Sequence, residues 1–520
     1  VELCTTWALL TLERDIPEFE PVPMPKLSNN DGVGDAGIFQ YYTINGGWQT
    51  FFRVINTSED AVSDKVRFRE AANSREVLDF TVFLSPYDMW TGWTDADPQG
   101  NGPGIKTNDT SCLYPLPDSN TTDEGFKTIA GSLKAADFQS RGFTGIYSDN
   151  GPATADRLAE GHLEMIGIAQ HYAFSDFGLA VTHNQTTGMP ANCSQAADLF
   201  ENARNGGEGH DLGNVLGFNG YLINVDNGFG GGYDPDVLTD FAGCSLTRIS
   251  NETHTEPDLD TSCHPASQGQ GTKQKGDWGN WDVSGKVDYV SAEFNRRSVI
   301  NEWAASENPL AVVSDYYTQW LVTFPTKHYY VDMQTDTVLT DDVSPTLVDP
   351  GGLDAYAPFY EDFDDGYNKG KSCEAYGMYI YNREEADSSF TSPAPIYPVE
   401  LCWETNIIVF NTFYTDKGLN SNFATSIPPQ LLPVDAGGAT SERGWAAMDF
   451  VDMDEDVKIG DRWYFDEPEF DYMGGGLPVT GFLFSVYNTN DTATNHAAIN
   501  AHKYTRMSDI CRDCPPPPSD

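Results

Sequence analysis

The 520-residue sequence is short of basic residues. It contains 30 Lys and Arg against 78 Asp and Glu, which gives a formal net charge of −48 at pH 7. Clustered Lys and Arg bind phosphate backbones and anionic membrane surfaces, so this charge argues against nucleic acid or an anionic membrane as a partner. The carboxylates instead predict an acidic surface, typical of a protein from a saline environment or of one that attracts divalent cations.

Long apolar runs are also missing. No stretch of 18 consecutive apolar residues occurs, so we expect no transmembrane segment. Apolar residues nevertheless make up 39% of the chain and aromatic residues 12%, too many for a disordered protein. The first residue is Val1 and not Met, which favours a mature chain whose export signal has been removed.

The motifs of common enzyme classes are absent. The sequence has no G-x-S-x-G and no H-E-x-x-H. The glycines of 226–234 depart from a phosphate-binding loop at Tyr233, so we interpret this segment as a turn. His162, Glu164 and His171 share a strand-like run, and we interpret them as structural. We therefore predict no catalytic residues and no enzyme activity.

One acidic segment has the spacing of a calcium loop. Asp452, Asp454 and Asp456 alternate as the first ligands of such a loop do, but Val457 stands where Gly is required and Trp463 where Glu is required. This segment is not an EF-hand. We predict no cofactor, with an irregular Ca²⁺ site on the three Asp carboxylates as the alternative to an acidic solvated loop.

Over most of the chain the hydrophobic pattern has a period of two. In residues 65–70, Val66 and Phe68 face away from the basic side chains between them, and 77–85 alternates in the same way. The two runs, joined by a turn-like segment, predict an antiparallel hairpin. We expect further strands in 160–174, 220–227, 318–332, 373–382, 404–414 and 477–488, and the best helix candidate is 292–306.

The pattern predicts a mainly β fold with two β-sandwich-like domains and a few short helices. We place the domains at 37–270 and 271–500, with the boundary in a polar Gly- and Gln-rich segment. Residues 1–36 read as an extended N-terminal arm, because an apolar strand at 4–13 precedes a Pro-rich stretch. Residues 501–520 read as a Pro-rich C-terminal tail.

Four stretches resemble a family of uncharacterised exported, surface-associated proteins of proteobacteria. They are GWQTFFRVINTSEDAV (47–62), LDFTVFLSPYDMWTGW (78–93), TFPTKHYYVD (323–332) and GLPVTGF (476–482). The likeness spans most of residues 37–500. It implies export and a single family architecture, and it implies no catalytic residue.

The nine cysteines and the glycosylation sequons are typical of an extracytoplasmic protein. Cys373 and Cys402 adjoin two strand-like runs, and Cys244 and Cys263 bracket a polar loop, so we predict that each pair forms a disulfide. Cys112 and Cys193 are then left to pair within the first domain. The seven candidate glycosylation sites are Asn56, Asn108, Asn120, Asn184, Asn192, Asn251 and Asn490.

Three cysteines remain in the two ends of the chain. We predict that Cys4 bonds to Cys511 or Cys514, either between copies or within one chain. The apolar strand beside Cys4, from Trp7 to Leu12, needs a sheet edge, and the edge of a neighbouring copy would accept it by β-augmentation. The alternative is that the arm folds back on its own domain.

These observations favour an extracellular structural protein that self-assembles into a surface layer, sheath or filament through its arm. The expected partner is another copy of the same chain. The main alternative is a secreted binding module, an adhesin or glycan receptor, because the chain is rich in aromatic and acidic residues. An exported hydrolase is the least favoured hypothesis.

Overall fold

The structure, a computed structural model, describes most of the chain outside its two ends and several long loops. The described residues are 26–27, 32–119, 125–144, 151–203, 209–210, 212–239, 241, 259, 287–306, 315–331, 359, 371–382, 399–411, 428–433, 441–450, 463–466, 471–474, 476–488 and 495–505. These residues are mainly β, as the period of two predicts.

The first half contains sixteen strands and two short α-helices. The strands are β1 Lys26–Leu27, β2 Val33–Gly34, β3 Ala36–Thr43, β4 Gln49–Asn56, β5 Ala61–Glu70, β6 Glu76–Leu84, β7 Met89–Asp95, β8 Gly104–Thr107, β9 Cys112–Tyr114, β10 Lys127–Ala130, β11 Leu133–Asp137, β12 Glu160–His171, β13 Gly209–His210, β14 Leu216–Asn224, β15 Phe229–Tyr233 and β16 Asp236–Thr239. The helices are α1 Asp176–Val181 and α2 Cys193–Ala203.

These strands form two antiparallel sheets. Sheet 1 has the order β1-β16-β3-β12-β5-β6-β9, with β13 on β12, and sheet 2 has the order β10-β11-β8-β7-β4-β14-β15, with β2 on β14. The predicted hairpin is the β5–β6 pair, in which Phe68 lies opposite Leu78. The two sheets face each other across one core, where the Phe68 and Phe52 rings are 5.2 Å apart. The first half is therefore a β-sandwich.

The second half adds fourteen strands and two short helices. They are α3 Val287–Phe294, β17 Asn295–Arg296, β18 Ser298–Ser306, β19 Asp315–Thr323, α4 His328–Val331, β20 Glu374–Asn382, β21 Val399–Leu401, β22 Thr405–Asn411, β23 Gln430–Pro433, β24 Ser441–Asp449, β25 Trp463–Asp466, β26 Asp471–Gly474, β27 Leu477–Pro478, β28 Thr480–Asn488, β29 His496–Ala501 and β30 Lys503–Thr505.

Most of these strands again form two sheets. Sheet 3 has the order β21-β20-β24-β18-β30, and sheet 4 has the order β23-β22-β19-β28-β29. Trp303 of sheet 3 stacks on Phe410 of sheet 4, and both belong to a second core. The second half is therefore also a β-sandwich.

Sheet 4 is buried on both of its faces. One face, which includes Trp320 and Leu483, lines the core of the second sandwich. The other face packs against the first sandwich, where the Phe484 ring is 5.4 Å from that of Trp48. Continuous apolar runs such as TGFLFSVYN in β28 are expected of a strand with no solvent face. We call the region where sheet 4, α4 and residues 401–405 meet the first sandwich the joint.

The helix prediction for 292–306 is wrong over most of its length. Helix α3 ends at Phe294, and Ser298–Ser306 forms strand β18, which pairs with all nine residues of β24. Buried Val299 and Trp303 lie on the same side of this strand, since both positions follow the period of two. The sheet partner therefore overrides the helical propensity of the segment.

Both ends of the folded region extend further than the predicted boundaries at residues 37 and 500. Lys26–Leu27 pairs with β16 of the same chain, and Val33–Gly34 pairs with β14, so these parts of the predicted arm belong to the first sandwich. At the other end, Lys503–Thr505 pairs with β18 and His502 is buried. The boundary expected near residue 270 lies outside the described residues.

None of the helices that the structure describes is long and apolar enough to cross a membrane.

Candidate functional site

The end of the first sandwich farthest from the joint exposes a group of large apolar side chains. Six of the ten exposed large apolar residues in the described part of the chain lie here, and Phe174 is 91% and Tyr87 70% exposed. Exposed apolar surface of this kind marks interaction sites in soluble proteins. We call this surface the cap, and its residues are Tyr87, Met89, Tyr172, Phe174, Leu179 and Met189.

Hydrogen bonds between loops hold the cap together. The backbone N–H of Tyr87 donates to the Ser58 carbonyl (3.1 Å), and that of Ala173 donates to Asp60 Oδ1 (3.0 Å). The Tyr172 ring stacks on His210 at 4.5 Å. Loops that are distant in sequence therefore present one surface.

Beside the cap, three side chains combine the residue types of a hydrolase triad. Ser85 Oγ is 3.1 Å from His183 Nδ1, and Asp88 Oδ2 is 3.5 Å from the same nitrogen. In a triad the serine and the carboxylate occupy opposite ring nitrogens of the histidine, so that one nitrogen accepts the serine proton while the carboxylate holds the N–H of the other. Here Ser85 Oγ also lies 3.2 Å from Asp88 Oδ2. The group therefore fixes the 85–88 turn and lacks the geometry of a nucleophile–base pair.

The face of sheet 1 towards the joint has the opposite character, because it is charged and buried. Arg69 Nε donates to Glu164 Oε1 at 2.9 Å, and Arg67 Nη1 lies 3.8 Å from Glu164 Oε2. Arg67 Nε also donates to Glu76 at 2.6 Å. Burial would raise the pKa of Glu164, but Arg69, with smaller contributions from His162 and Arg67, lowers it to about 2. Arg69 also lies over the ring of Tyr329, in α4 of the second sandwich.

A second buried ion pair orders the adjoining turn. Arg157 donates to both carboxylate oxygens of Glu70, with Nη2–Oε1 at 2.7 Å and Nε–Oε2 at 3.1 Å. The same carboxylate accepts the backbone N–H groups of Ala72 and Asn73. Such a bidentate, fully bonded carboxylate makes the turn rigid. This turn also bonds directly to the second sandwich, since the N–H of Glu404 donates to the Ala72 carbonyl at 2.9 Å.

Several buried titratable groups at the joint favour their neutral forms. Burial lowers the pKa of His162 and, helped by Arg69, lowers that of His328 well below its ordinary value. Burial raises the pKa of Glu404 well above its ordinary value, although Lys327 opposes this. The joint therefore combines paired charges with neutral acids and bases.

One carboxyl group points into the core of the first sandwich. Asp64 lies on the same face of β5 as the core residues Val62 and Val66, is fully buried, and makes no hydrogen bond through either carboxyl oxygen. Burial raises its pKa well above the ordinary value. An unbonded buried carboxyl destabilises the fold, more strongly when it is charged.

Two of the three predicted internal disulfides lie among the described residues, and both are present. Cys112 bonds to Cys193, which fastens α2 to sheet 1, and Cys373 bonds to Cys402 in the second sandwich. The two sulfurs of the second pair and a carboxylate oxygen of Glu400 all lie within 4.8 Å of one another, close enough to share a metal ion. Because both sulfurs are in the disulfide, this group offers no thiolate ligand.

Four of the seven predicted glycosylation sites are described, and one of them cannot carry a glycan. Asn56 is fully buried, and its Nδ2 donates to the carbonyls of Asp60 (2.7 Å) and Ser85 (2.9 Å). The prediction for Asn56 is therefore wrong for the folded chain. The described sites that are exposed are Asn108, Asn184 and Asn192.

The remaining predicted sites lie outside the residues that the structure describes. These are Cys4, Cys244, Cys263, Cys511, Cys514, Asn120, Asn251, Asn490, Asp452, Asp454 and Asp456. Within the described part, His162 and Glu164 lie two residues apart on strand β12 and come together, with Nε2 and Oε1 3.7 Å apart.

Comparison with known proteins identifies no relative. No family model, no curated protein and no solved structure matches the chain.

Proposed function

We propose that this chain is an extracellular structural subunit that self-assembles into a surface layer, sheath or filament. The cap carries the self-association in this proposal, since it exposes several large apolar side chains at one end of the first sandwich. Burying such apolar surface stabilises an associated state, and a second copy of the chain is a partner that is always available.

The rest of the described chain suits a load-bearing subunit. The two sandwiches share sheet 4, so the joint is built from a continuous core and not from a flexible linker. The disulfides Cys112–Cys193 and Cys373–Cys402 support an oxidising compartment outside the cytoplasm.

The test of self-assembly is direct. Sedimentation of the full chain over a wide concentration range should show concentration-dependent association, and negative-stain microscopy should show ordered polymers or sheets. A chain that stays monomeric and dispersed at the highest soluble concentration would exclude the proposal. The same measurements in Ca²⁺ and in chelator, at matched ionic strength, test whether divalent cations promote the assembly by screening the carboxylates.

A secreted glycan-binding module is the second candidate. Tyr87 and Tyr172 expose aromatic rings, and Asp60 and His210 lie beside them with Nε2–Oδ2 at 3.2 Å. Exposed rings next to polar groups can stack on sugars and bond their hydroxyls. Saturable oligosaccharide binding that is lost in Tyr172→Ala, by a chain that remains monomeric, would favour this candidate over self-assembly.

A further inference from the structure

The cap is held in position by the fold and is not a frayed loop. Tyr87, 70% exposed, has a φ of 58°, a left-handed conformation that residues with a side chain rarely adopt. The Ser85–Asp88 contacts and the bond from Tyr87 to Ser58 maintain this conformation. Strained residues of this kind cluster at functional sites, and here the strain keeps an aromatic ring in solvent.

The register of β1 shows where the preceding chain leaves the fold. Lys26 lies opposite Thr239, and Leu27 lies opposite Leu238. Leu238 lies opposite Ala36 of β3, and Ala36 lies opposite Ile166 of β12. Beyond Ile166, β12 continues to His171, which lies beside the cap. The chain before Lys26 therefore leaves sheet 1 pointing towards the cap, at a distance of about 17 Å along the strands.

The sequence before Lys26 supplies an apolar segment on a spacer. The ten residues 3–12 carry no charge and include Trp7, Leu9, Leu10 and Leu12. Fourteen steps separate Leu12 from Lys26, and four prolines in this stretch favour an extended conformation, which spans about 3.1 Å per residue or roughly 43 Å. The spacer is therefore long enough to carry residues 3–12 past the cap of the same chain and onto the cap of another copy.

We infer that residues 3–12 of one copy dock on the cap of a second copy. This inference rests on the proposed self-assembly and names its acceptor surface. Because the arm leaves the fold at the end that carries the cap, the exchange is reciprocal, and two copies pair cap to cap around a two-fold axis. The arm contact then gives a closed pair, and a layer or filament grows from such pairs through a different surface.

Photo-crosslinking tests which copy is contacted. A benzophenone amino acid in place of Phe174 is introduced into full-length chain, and ¹⁴N and ¹⁵N copies are mixed before irradiation. We expect crosslinked peptides that join position 174 to residues 3–12, half of them of mixed isotope. Crosslinks to the arm with no mixed isotope would show that the arm covers its own cap, and crosslinks elsewhere would show that another segment does. Either result overturns the inference.

A matched pair of variants separates this inference from the proposed function. Tyr172→Ser/Phe174→Ser should raise the dissociation constant of the pair at least about tenfold, whereas the control Ile129→Ser, an exposed apolar residue outside the cap, should not. Cap variants that pair as the unmodified chain does would overturn the cap as acceptor and leave self-assembly standing. A full-length chain that never associates would exclude both.

Discussion

Two surfaces of the first sandwich differ in a way that reverses the usual rule of burial. At the joint, Arg67, Arg69 and Glu164 are buried although they are charged, whereas at the cap Phe174 and Tyr87 are exposed although they are apolar. The charges are tolerated because each has a partner at short range and a second sandwich excludes water from them. The exposed rings have no such cover among the described residues. The contrast indicates that the joint is a completed contact and the cap an incomplete one.

The largest expected effect is at the joint. Glu164→Gln keeps the size of the side chain but leaves Arg67 and Arg69 facing a neutral group in a buried site, so we expect a loss of about 3–5 kcal/mol in the free energy of unfolding. Phe174→Ser at the cap is the control, with a change within about 0.5 kcal/mol. Denaturant unfolding measures both. Equal losses at the two positions would remove the contrast.

The disulfide beside the cap should have an effect of similar size. Cys112–Cys193 closes a loop of 81 residues and Cys373–Cys402 one of 29 residues. The loop-entropy relation gives about 4.5 and about 3.6 kcal/mol for the two bonds. Serine replacement of each pair in turn, followed by thermal or denaturant unfolding, should rank them in this order. The reverse order would show that loop closure does not govern their contributions.

Buried histidines should make the fold sensitive to acid. Burial, with a contribution from His210, lowers the pKa of His171 to about 3. A depressed pKa contributes stability that is present above the unfolded value near 6.5 and is lost as the pH falls towards 3, by about 1.4 kcal/mol per pH unit. His171→Phe should reduce the slope of unfolding free energy against pH between 6 and 4. An unchanged slope would assign the acid sensitivity to other groups.

The smallest effect is expected at Asp64, where a carboxyl is buried without the partners that the joint provides. Its raised pKa means that stability is fully present below pH 4 and is lost as the pH rises. At neutral pH, Asp64→Val should therefore stabilise the fold by about 1–2 kcal/mol. Asp64→Asn cannot ionise but stays polar, so at neutral pH its free energy of unfolding should lie between those of Asp64→Val and the unmodified chain. Below pH 4 it should approach that of the unmodified chain. Destabilisation by both variants would indicate a bound partner for the carboxyl.

Local pattern predicted several of the strands and two disulfides, although the strand expected over 318–332 ends at Thr323 and His328–Val331 is helical. The alternation in 65–85 predicted β5 and β6, and Cys373 and Cys402 paired because they adjoin strands. The segment 292–306 was misjudged, because its residues suit a helix in isolation and only pairing with β24 makes part of it a strand.

The two surfaces that matter most could not be read from the sequence. The cap collects residues from 87 to 189, and the joint brings Arg69 to Tyr329 and Ala72 to Glu404. Alternation showed that Arg67 and Arg69 share a face, but it carries no information on what covers that face. The one available signal was compositional: basic residues are rare in this chain, yet three of them occur within five residues of β5.

Each sandwich is closed by strands from its own extremes. Lys26 pairs with Thr239, and Ser298 pairs with Thr505, so that both closures join residues more than 200 positions apart. Contacts this distant form slowly, because a long loop must be ordered before any of them is made. The second sandwich cannot be completed before residues 503–505 have been synthesised, because β30 pairs with β18. Until then β18 lacks one of its two strand partners, and its unpaired edge is open to aggregation during synthesis.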